Sequence, residues 1–375
     1  MDLFKKMATA LSSLMIALLF GEIFLRLIAP LPSANHHQLF CEFDDTLGWK
    51  KIPDFTGTHR TEEYEVQEYF NSKGLRGPEF TYQKPTDHKR VLVLGDSYVE
   101  GYMVSYEETF LQVCEAKLQT RCAPEKYQVI NAGTGGYATD QELLFYQQEG
   151  VKYHPDITVL MVCINDIWFN NQPKYWRGQK PLFRVEADSI RLTNVPLLAP
   201  EDLGGIARLK RWSLENIQLA RRLKILKDKI ETATTGVKVP EDLKAYQRTY
   251  DADLAAAWTI TEHLLKALKL QADNIDSRFI IGFIPEKEAI YPATWDAFKT
   301  QYEITDQDYD PLRLQKKLEK ICKEMEIPFF DPTPALTLTS TANPQEDLYY
   351  EFDSHWNAKG MQVVGEALTE FLGCM

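Results

Sequence analysis

Two short stretches, Val91–Leu94 and Ile157–Ile164 (I-T-V-L-M-V-C-I), are apolar but for Thr158. They lack both the polar alternation of a half-exposed strand and the length of a core helix, so they read as strands buried on both faces. Such strands need helices above and below them, which restricts the chain to a largely parallel, helix-covered sheet. Tyr127–Ile130, Arg278–Ile284 and Ile327–Phe330 are three further candidates. Helical stretches at Thr109–Leu118, Asp140–Glu149, Pro311–Met325 and Met361–Phe371 alternate with them. The pattern predicts an α/β domain over 90–375. A length of 375 residues with 44% hydrophobic content is within reach of one such domain with insertions.

The alternation breaks once, between the third and fourth strands. Ser213–Thr234 and Glu241–Asp273 there read as two long amphipathic helices, with Gly236 and Pro240 between them. They predict a helical insertion at about 200–275, serving as a lid, a partner surface or a solvated appendage. Residues 31–89 are polar and aromatic, with turn signals at Leu47-Gly48-Trp49, Gly74-Leu75-Arg76-Gly77 and Lys84-Pro85. They predict an extended, β-rich lead-in covering one edge of the sheet.

Residues 1–30 are different in kind. After Lys5 and Lys6, the run Ala8–Ala29 holds 22 residues, a helix of about 33 Å and enough to cross a bilayer core. Glu22 and Arg26 interrupt it four residues apart, where they can pair on one face. Positive charges precede the run and few follow closely, which places the body on the non-cytoplasmic side. The reading is an uncleaved signal anchor ending at Pro30 and Pro32. The alternative is a cleaved signal peptide cut after Ala34, which Pro32 at the third position back fits poorly.

A net charge of −12 argues against nucleic-acid binding through a basic patch and disfavours an anionic membrane surface as the main partner. No cysteine pair has C-x-x-C spacing and no histidine cluster accompanies the six cysteines, so a zinc site is not expected. Cys114 and Cys122 are close enough in sequence to bridge in an oxidising compartment. Cys163 and Cys322 lie in apolar runs and read as small buried hydrophobes.

The first strand stops at Gly95-Asp96-Ser97, which puts a hydroxyl at the carboxyl end of a central strand, where open α/β sheets place ligands. Ser97 is either a nucleophile or part of a helix cap. A serine nucleophile needs an oriented base. Of seven histidines, His36 and His37 adjoin the apolar run, His59 and His88 are in the lead-in, His154 precedes a proline and His263 lies within a helix. His355, in F-D-S-H-W-N, has Asp353 two residues upstream and sits in a loop before the last helix, where a carboxylate can hold one tautomer. Oxyanion donors are available at Gly136 in N-A-G-T-G-G-Y and at Asn165 in I-N-D, each after a strand.

Ser, Gly, Asn and His in this order, 258 residues from first to last, resemble the blocks of the SGNH (GDSL-type) hydrolase superfamily, and the lead-in motifs D-T-L-G-W-K and N-S-K-G-L-R-G, with the apolar segment before them, resemble its bacterial membrane-anchored members. The resemblance implies a three-layer α/β/α sandwich on a flavodoxin-like, five-stranded parallel sheet. It assigns Ser97 as nucleophile, His355 as base and Asp353 as its carboxylate, with Ser97, Gly136 and Asn165 forming the oxyanion hole and no metal or organic cofactor. It implies an esterase acting on acylated small molecules or polysaccharide, and an anchored domain outside the cytoplasmic membrane points to acyl groups, acetyl above all, on cell-envelope or exported carbohydrate. Tyr98, Tyr102, Tyr137, Trp168 and Trp356 flank the site as candidate sugar platforms. The alternatives are an acyltransferase using the same acyl-enzyme and a non-catalytic envelope module. Cys163, standing where the third block usually has glycine, is expected to crowd the backbone beside Asn165. The last block reads D-x-H in place of D-x-x-H.

Overall fold

In the computed structural model, Val91–Leu94 and Ile157–Val162 have no exposed surface at all. The structure describes residues 2–29, 31, 40–175, 178–199, 202, 204–235 and 237–374. Pro30, Pro32, Ala34, His36, His37 and Gly236, which figure in the sequence reading, lie outside the described residues. The chain divides into two units, 40–197 with 239–375, and 1–39 with 198–238.

The larger unit is built on a five-stranded sheet of His88–Gly95 (β1), Lys126–Gly133 (β2), Ile157–Val162 (β3), Arg278–Phe283 (β4) and Phe329–Phe330 (β5). All neighbours run parallel, with Leu94 opposite both Ala132 and Leu160. The spatial order β2-β1-β3-β4-β5 is the flavodoxin-like order. Phe110–Arg121 (α3) packs against the C-terminal Ala358–Leu372 (α10), and Thr139–Gln148 (α4) packs against Ala252–Asp273 (α8). Right-handed crossovers put these two pairs on opposite faces of the sheet. The helix-covered parallel sheet expected from the apolar runs, and the α/β/α sandwich that the resemblance implies, are the architecture found.

The expected hairpin at 200–275 is not one structure. Its second half is a turn of 3₁₀ helix at Asp242–Tyr246 followed by α8, whose stripe of Leu254, Ala257, Trp258, Thr261, Leu264 and Leu268 is buried in the core. Amphipathicity gives a helix a buried side but does not name what lies against it. The first half is two helices, Gly205–Asn216 (α6) and Gln218–Thr235 (α7), broken at the extended residue Ile217. They belong to the smaller unit, with Asp2–Ile28 (α1). Phe4–Ile28 has a mean hydropathy of 2.0, long and apolar enough to cross a membrane and compatible with an anchor or a signal sequence.

The lead-in forms two hairpins, Cys41–Asp44 with Gly48–Lys51 and Thr56–Arg60 with Glu65–Tyr69. Neither hairpin pairs with a strand of the five-stranded sheet. Trp49 Nε1 donates to Gly135 O at 3.1 Å, Tyr137 O–H donates to Trp49 O at 2.6 Å, and Gln141 Nε2 donates to Leu47 O at 2.7 Å. These contacts hold the lead-in's first hairpin at the carboxyl ends of the strands, while Lys84 and Asp87 pair with Asp156 and Lys126 at their amino ends.

The disulfide also differs from expectation. Cys122 bonds to Cys374, while Cys114 is a free, buried thiol. Cys114 points into the α3–α10 interface from mid-helix, whereas Cys122 and Cys374 sit at the ends of those two helices. Closing a loop of 252 residues restricts the unfolded chain strongly. Cys122→Ser with Cys374→Ser is expected to cost about 2–4 kcal/mol, read as a fall of several degrees in Tm under oxidising conditions. An unchanged Tm would show the link to be idle.

Candidate active site

β1 ends at Gly95 and the chain turns at once into the four-residue helix Ser97–Glu100 (α2). Asp96 is its N-cap, accepting from Tyr98 N at 3.0 Å, the capping role expected for it. Ser97 therefore opens a helix beside the β1/β3 boundary, the point at which strand order reverses and ligands bind in this topology. The neighbouring β2 can approach because Gly133 has no side chain, since a Cβ there would lie 2.2 Å from Glu100 N.

Across from it, His355 Nε2 is 2.8 Å from Ser97 Oγ. On its other side, His355 Nδ1 is 2.5 Å from Asp353 Oδ1, so Nδ1 carries the proton and Nε2 presents its lone pair to the serine. The D-x-H spacing works because Ser354 takes φ 67°, a left-handed conformation that folds the chain back and brings both side chains to one side. Tyr64 O–H donates to Asp353 Oδ2 at 2.7 Å, and Tyr102 O–H lies 3.5 Å from His355 Nδ1. Burial alone would lower the imidazole pKa, but the hydrogen bond and charge of Asp353 overcome it and hold His355 above its ordinary value.

The other two block residues follow β2 and β3, the strands on either side of β1. Gly136 takes φ 77°, and its turn is tied to β1 by Thr134 N donating to Gly95 O at 3.0 Å. Next to it, Gly135 N donates to Glu100 Oε2 at 2.6 Å, and the same carboxylate pairs with the buried Lys51. Asn165 Nδ2 donates one N–H to Asp96 Oδ2 at 3.1 Å, which keeps a second N–H on that nitrogen. Cys163 does not crowd this turn. Its φ of −101° and ψ of 167° are extended backbone that any residue adopts, and its thiol donates to Glu286 Oε1 at 3.1 Å. Burial, with the nearby carboxylates of Asp96 and Glu286, keeps that thiol protonated.

The proposed sugar platforms are mostly wall. Tyr98, Tyr137 and Trp356 are buried to 3% exposure or less. Tyr98 lies against the His355 ring with centroids 4.4 Å apart, and Trp356 sits edge-on to Tyr98 and Phe110. Tyr102 is buried between Tyr64 and His355. Trp168 is partly exposed, with Lys244 Nζ 5.6 Å from its ring. Tyr98 and Tyr102 thus serve to pack the half-buried imidazole.

Two carboxylates at the site were not foreseen. Glu286 follows β4 in I-P-E-K-E, accepting from Tyr98 O–H at 3.0 Å as well as from Cys163, and burial, aided by Glu288, pushes it up to about 7. The strand-end rule that picked out Ser97, Gly136 and Asn165 applies equally to β4. Glu63, from the lead-in, accepts from Glu351 N, Phe352 N and Asp353 N at 2.6, 3.0 and 2.7 Å, fixing the loop that carries Asp353. No local signal in the sequence marks that contact.

A serine paired with a loop histidine at the carboxyl edge of a flavodoxin-like sheet is the arrangement of an SGNH-type ester hydrolase. The chain belongs to the GDSL-like lipase/acylhydrolase family, which it matches over residues 93–363, and it is an ester hydrolase. Among solved structures, the acetyl xylan esterase AlAXEase is 14% identical, with 75% of this chain and 98% of that one covered and a TM-score of 0.42. A variant of Axe2, an acetyl-xylooligosaccharide esterase from Geobacillus stearothermophilus, is 13% identical over 76% and 95%, with a TM-score of 0.41. A putative G-D-S-L family lipolytic protein from Desulfitobacterium hafniense is 13% identical over 76% and 99%, with a TM-score of 0.37. Curated proteins gave no match.

Proposed function

We propose that the protein is a serine esterase that removes acyl groups, chiefly acetyl, from carbohydrate, with its catalytic unit held on the non-cytoplasmic side of a membrane by α1. The observation that carries the reading is the continuous chain Ser97 Oγ, His355 Nε2, His355 Nδ1, Asp353 Oδ1, with steps of 2.8 and 2.5 Å across the ring. Ser97 Oγ attacks the ester carbonyl as Nε2 takes its proton, and the same proton then leaves with the alcohol. Water repeats the sequence on the acyl-enzyme, releasing the acid and restoring the hydroxyl. The N–H of Ser97, that of Gly136 and the second N–H of Asn165 receive the oxyanion. The backbone N–H groups of Ser97 and Gly136 have no other partner among the described residues.

Carbohydrate is favoured by the surface next to Asp353. A groove of about 600 Å³ there is lined by the part-exposed rings of Tyr69 and Tyr350 together with the exposed side chains of Glu65 and Gln67. Phe352, 75% exposed, presents its ring one residue from Asp353. Aromatic faces interleaved with hydrogen-bonding side chains match a sugar ring, which has an apolar face and a hydroxyl rim.

The test is labelling with a fluorophosphonate probe alongside hydrolysis of acetylated oligosaccharides and longer-chain esters. Labelling of Ser97 and preferential release of acetate from the sugars are expected. An unlabelled Ser97, or a preference for long acyl chains, overturns the reading. Asn165→Ala removes one oxyanion donor and is expected to lower kcat about a hundredfold or more with little change in KM. A change in KM alone would remove Asn165 from the oxyanion hole.

A further inference from the structure

The smaller unit explains the two charges that interrupt the apolar run of α1. Glu22 caps the start of α7, accepting from Gln218 N and Leu219 N at 2.9 Å each. Arg26 bonds Glu22 at 2.8 Å and donates to Asn216 O at 2.5 Å. Gln218 Oε1 accepts from Leu31 N at 2.9 Å, and Arg222 donates to Ala29 O. Glu22 is six residues from the end of α1, about 9 Å along the helix. The α6–α7 break is therefore fixed to the last two turns of the segment that would cross the bilayer.

Both helices turn apolar side chains to solvent. Ile206, Leu209 and Trp212 recur at three-residue spacing on α6, and Leu223, Leu226 and Ile230 form one stripe on α7, all of them exposed. Between Gly205 and Thr235 the sequence holds eight Lys and Arg against three Asp and Glu, in a chain whose overall charge is −12. An apolar stripe flanked by basic residues is the composition of a helix lying in a lipid headgroup layer. The whole-chain charge, which counted against an anionic surface, averages this segment away.

We propose that α6 and α7 form an amphipathic ledge that lies in the headgroup layer of an anionic bilayer, at the point where α1 leaves it. The proposal rests on reading α1 as a membrane span. In that position the exposed leucines and isoleucines reach the acyl boundary, the Lys and Arg side chains meet lipid phosphates, and Glu22 and Arg26 are satisfied by helix backbone at the interface.

The full chain is reconstituted in vesicles of roughly seven parts phosphatidylcholine to three parts phosphatidylglycerol, in a Cys41→Ser background because Cys114, Cys163 and Cys322 are buried and Cys122 and Cys374 are joined in the disulfide. Nitroxide labels are placed at Leu226→Cys on the apolar stripe, at Asp228→Cys on the opposite face, and at Leu11→Cys within α1. The ratio of collisions with oxygen to collisions with a water-soluble nickel chelate is expected to be about threefold or more higher at 226 than at 228, and highest at 11. A high ratio at 11 with equal, low ratios at 226 and 228 overturns the ledge while leaving the anchor intact. Low ratios at all three positions refute the membrane span itself. Seating of 226 that is equally deep in phosphatidylcholine alone overturns the assignment to anionic lipid.

Discussion

Ser97→Ala is expected to lower kcat for a simple acetate ester by a factor on the order of 10⁵, with loss of fluorophosphonate labelling. The hydroxyl of Ser97 has His355 Nε2 as its hydrogen-bond partner, while the cap and backbone bonds of α2 are made by Asp96 and Gly101. Removing one oxygen from this half-open position therefore leaves the helix intact, and the Tm should move by no more than a degree or two. That separation makes the result interpretable, because a folded protein without activity has lost its nucleophile. The residual rate measures what binding and the oxyanion donors do alone. Retention of more than about one per cent of the activity, in a variant shown to be homogeneous, would refute the assignment of Ser97.

The sheet was readable because burial on both faces leaves a mark that needs no partner information. Val91–Leu94 and Ile157–Val162 are apolar at every position but Thr158, whose hydroxyl finds Tyr146 and Ser277 inside the core. The candidate site was legible for a related reason. Ser97, Gly136 and Asn165 follow strands directly, so locating the strand ends locates them. What stayed hidden depends on contacts between segments distant in sequence. α7 and α8 are both amphipathic, yet α8 buries its stripe on the sheet and α7 leaves Leu223, Leu226 and Ile230 exposed. Glu63 reaches the 351–353 loop from 288 or more residues away, and nothing in T-E-E-Y announces it. The partner of Cys122 was hidden likewise, since Cys114 is nearer along the chain but helical packing points it elsewhere.

Cys163 shows the limit of reading a motif by identity. Glycine at a strand end is required only where the backbone is left-handed or something presses on the α-carbon. Neither holds at Cys163, whose backbone is extended and whose thiol has an acceptor in Glu286. The departure thus changes the wall behind Asn165 and not the turn that presents it.

Asp353→Asn is expected to lower kcat/KM by about 10³–10⁴ and to move its acidic limb to lower pH. The geometry sets the direction of both effects. Tyr64 O–H donates to Oδ2, so an asparagine placed there keeps its carbonyl oxygen on Tyr64 and turns its NH₂ toward His355. Nδ1 must then accept, the ring proton moves to Nε2, and the lone pair facing Ser97 Oγ is lost. Only neutral imidazole can take the serine proton, so activity in the unaltered protein rises as His355 deprotonates, above the ordinary imidazole value of about 6.5. Without the carboxylate, burial becomes the dominant influence and depresses the histidine pKa, since it disfavours the charged ring. The same pairing contributes folding stability that is fully present below the unfolded pKa of about 6.5 and is lost as pH rises through the raised folded value. Stability of Asp353→Asn should accordingly fall most at low pH. Profiles of kcat/KM against pH for both proteins, with Tm measured over the same range, check the two halves together. An acidic limb that stays in place, or a rate within tenfold of the unaltered protein, would remove Asp353 from its role of orienting the base.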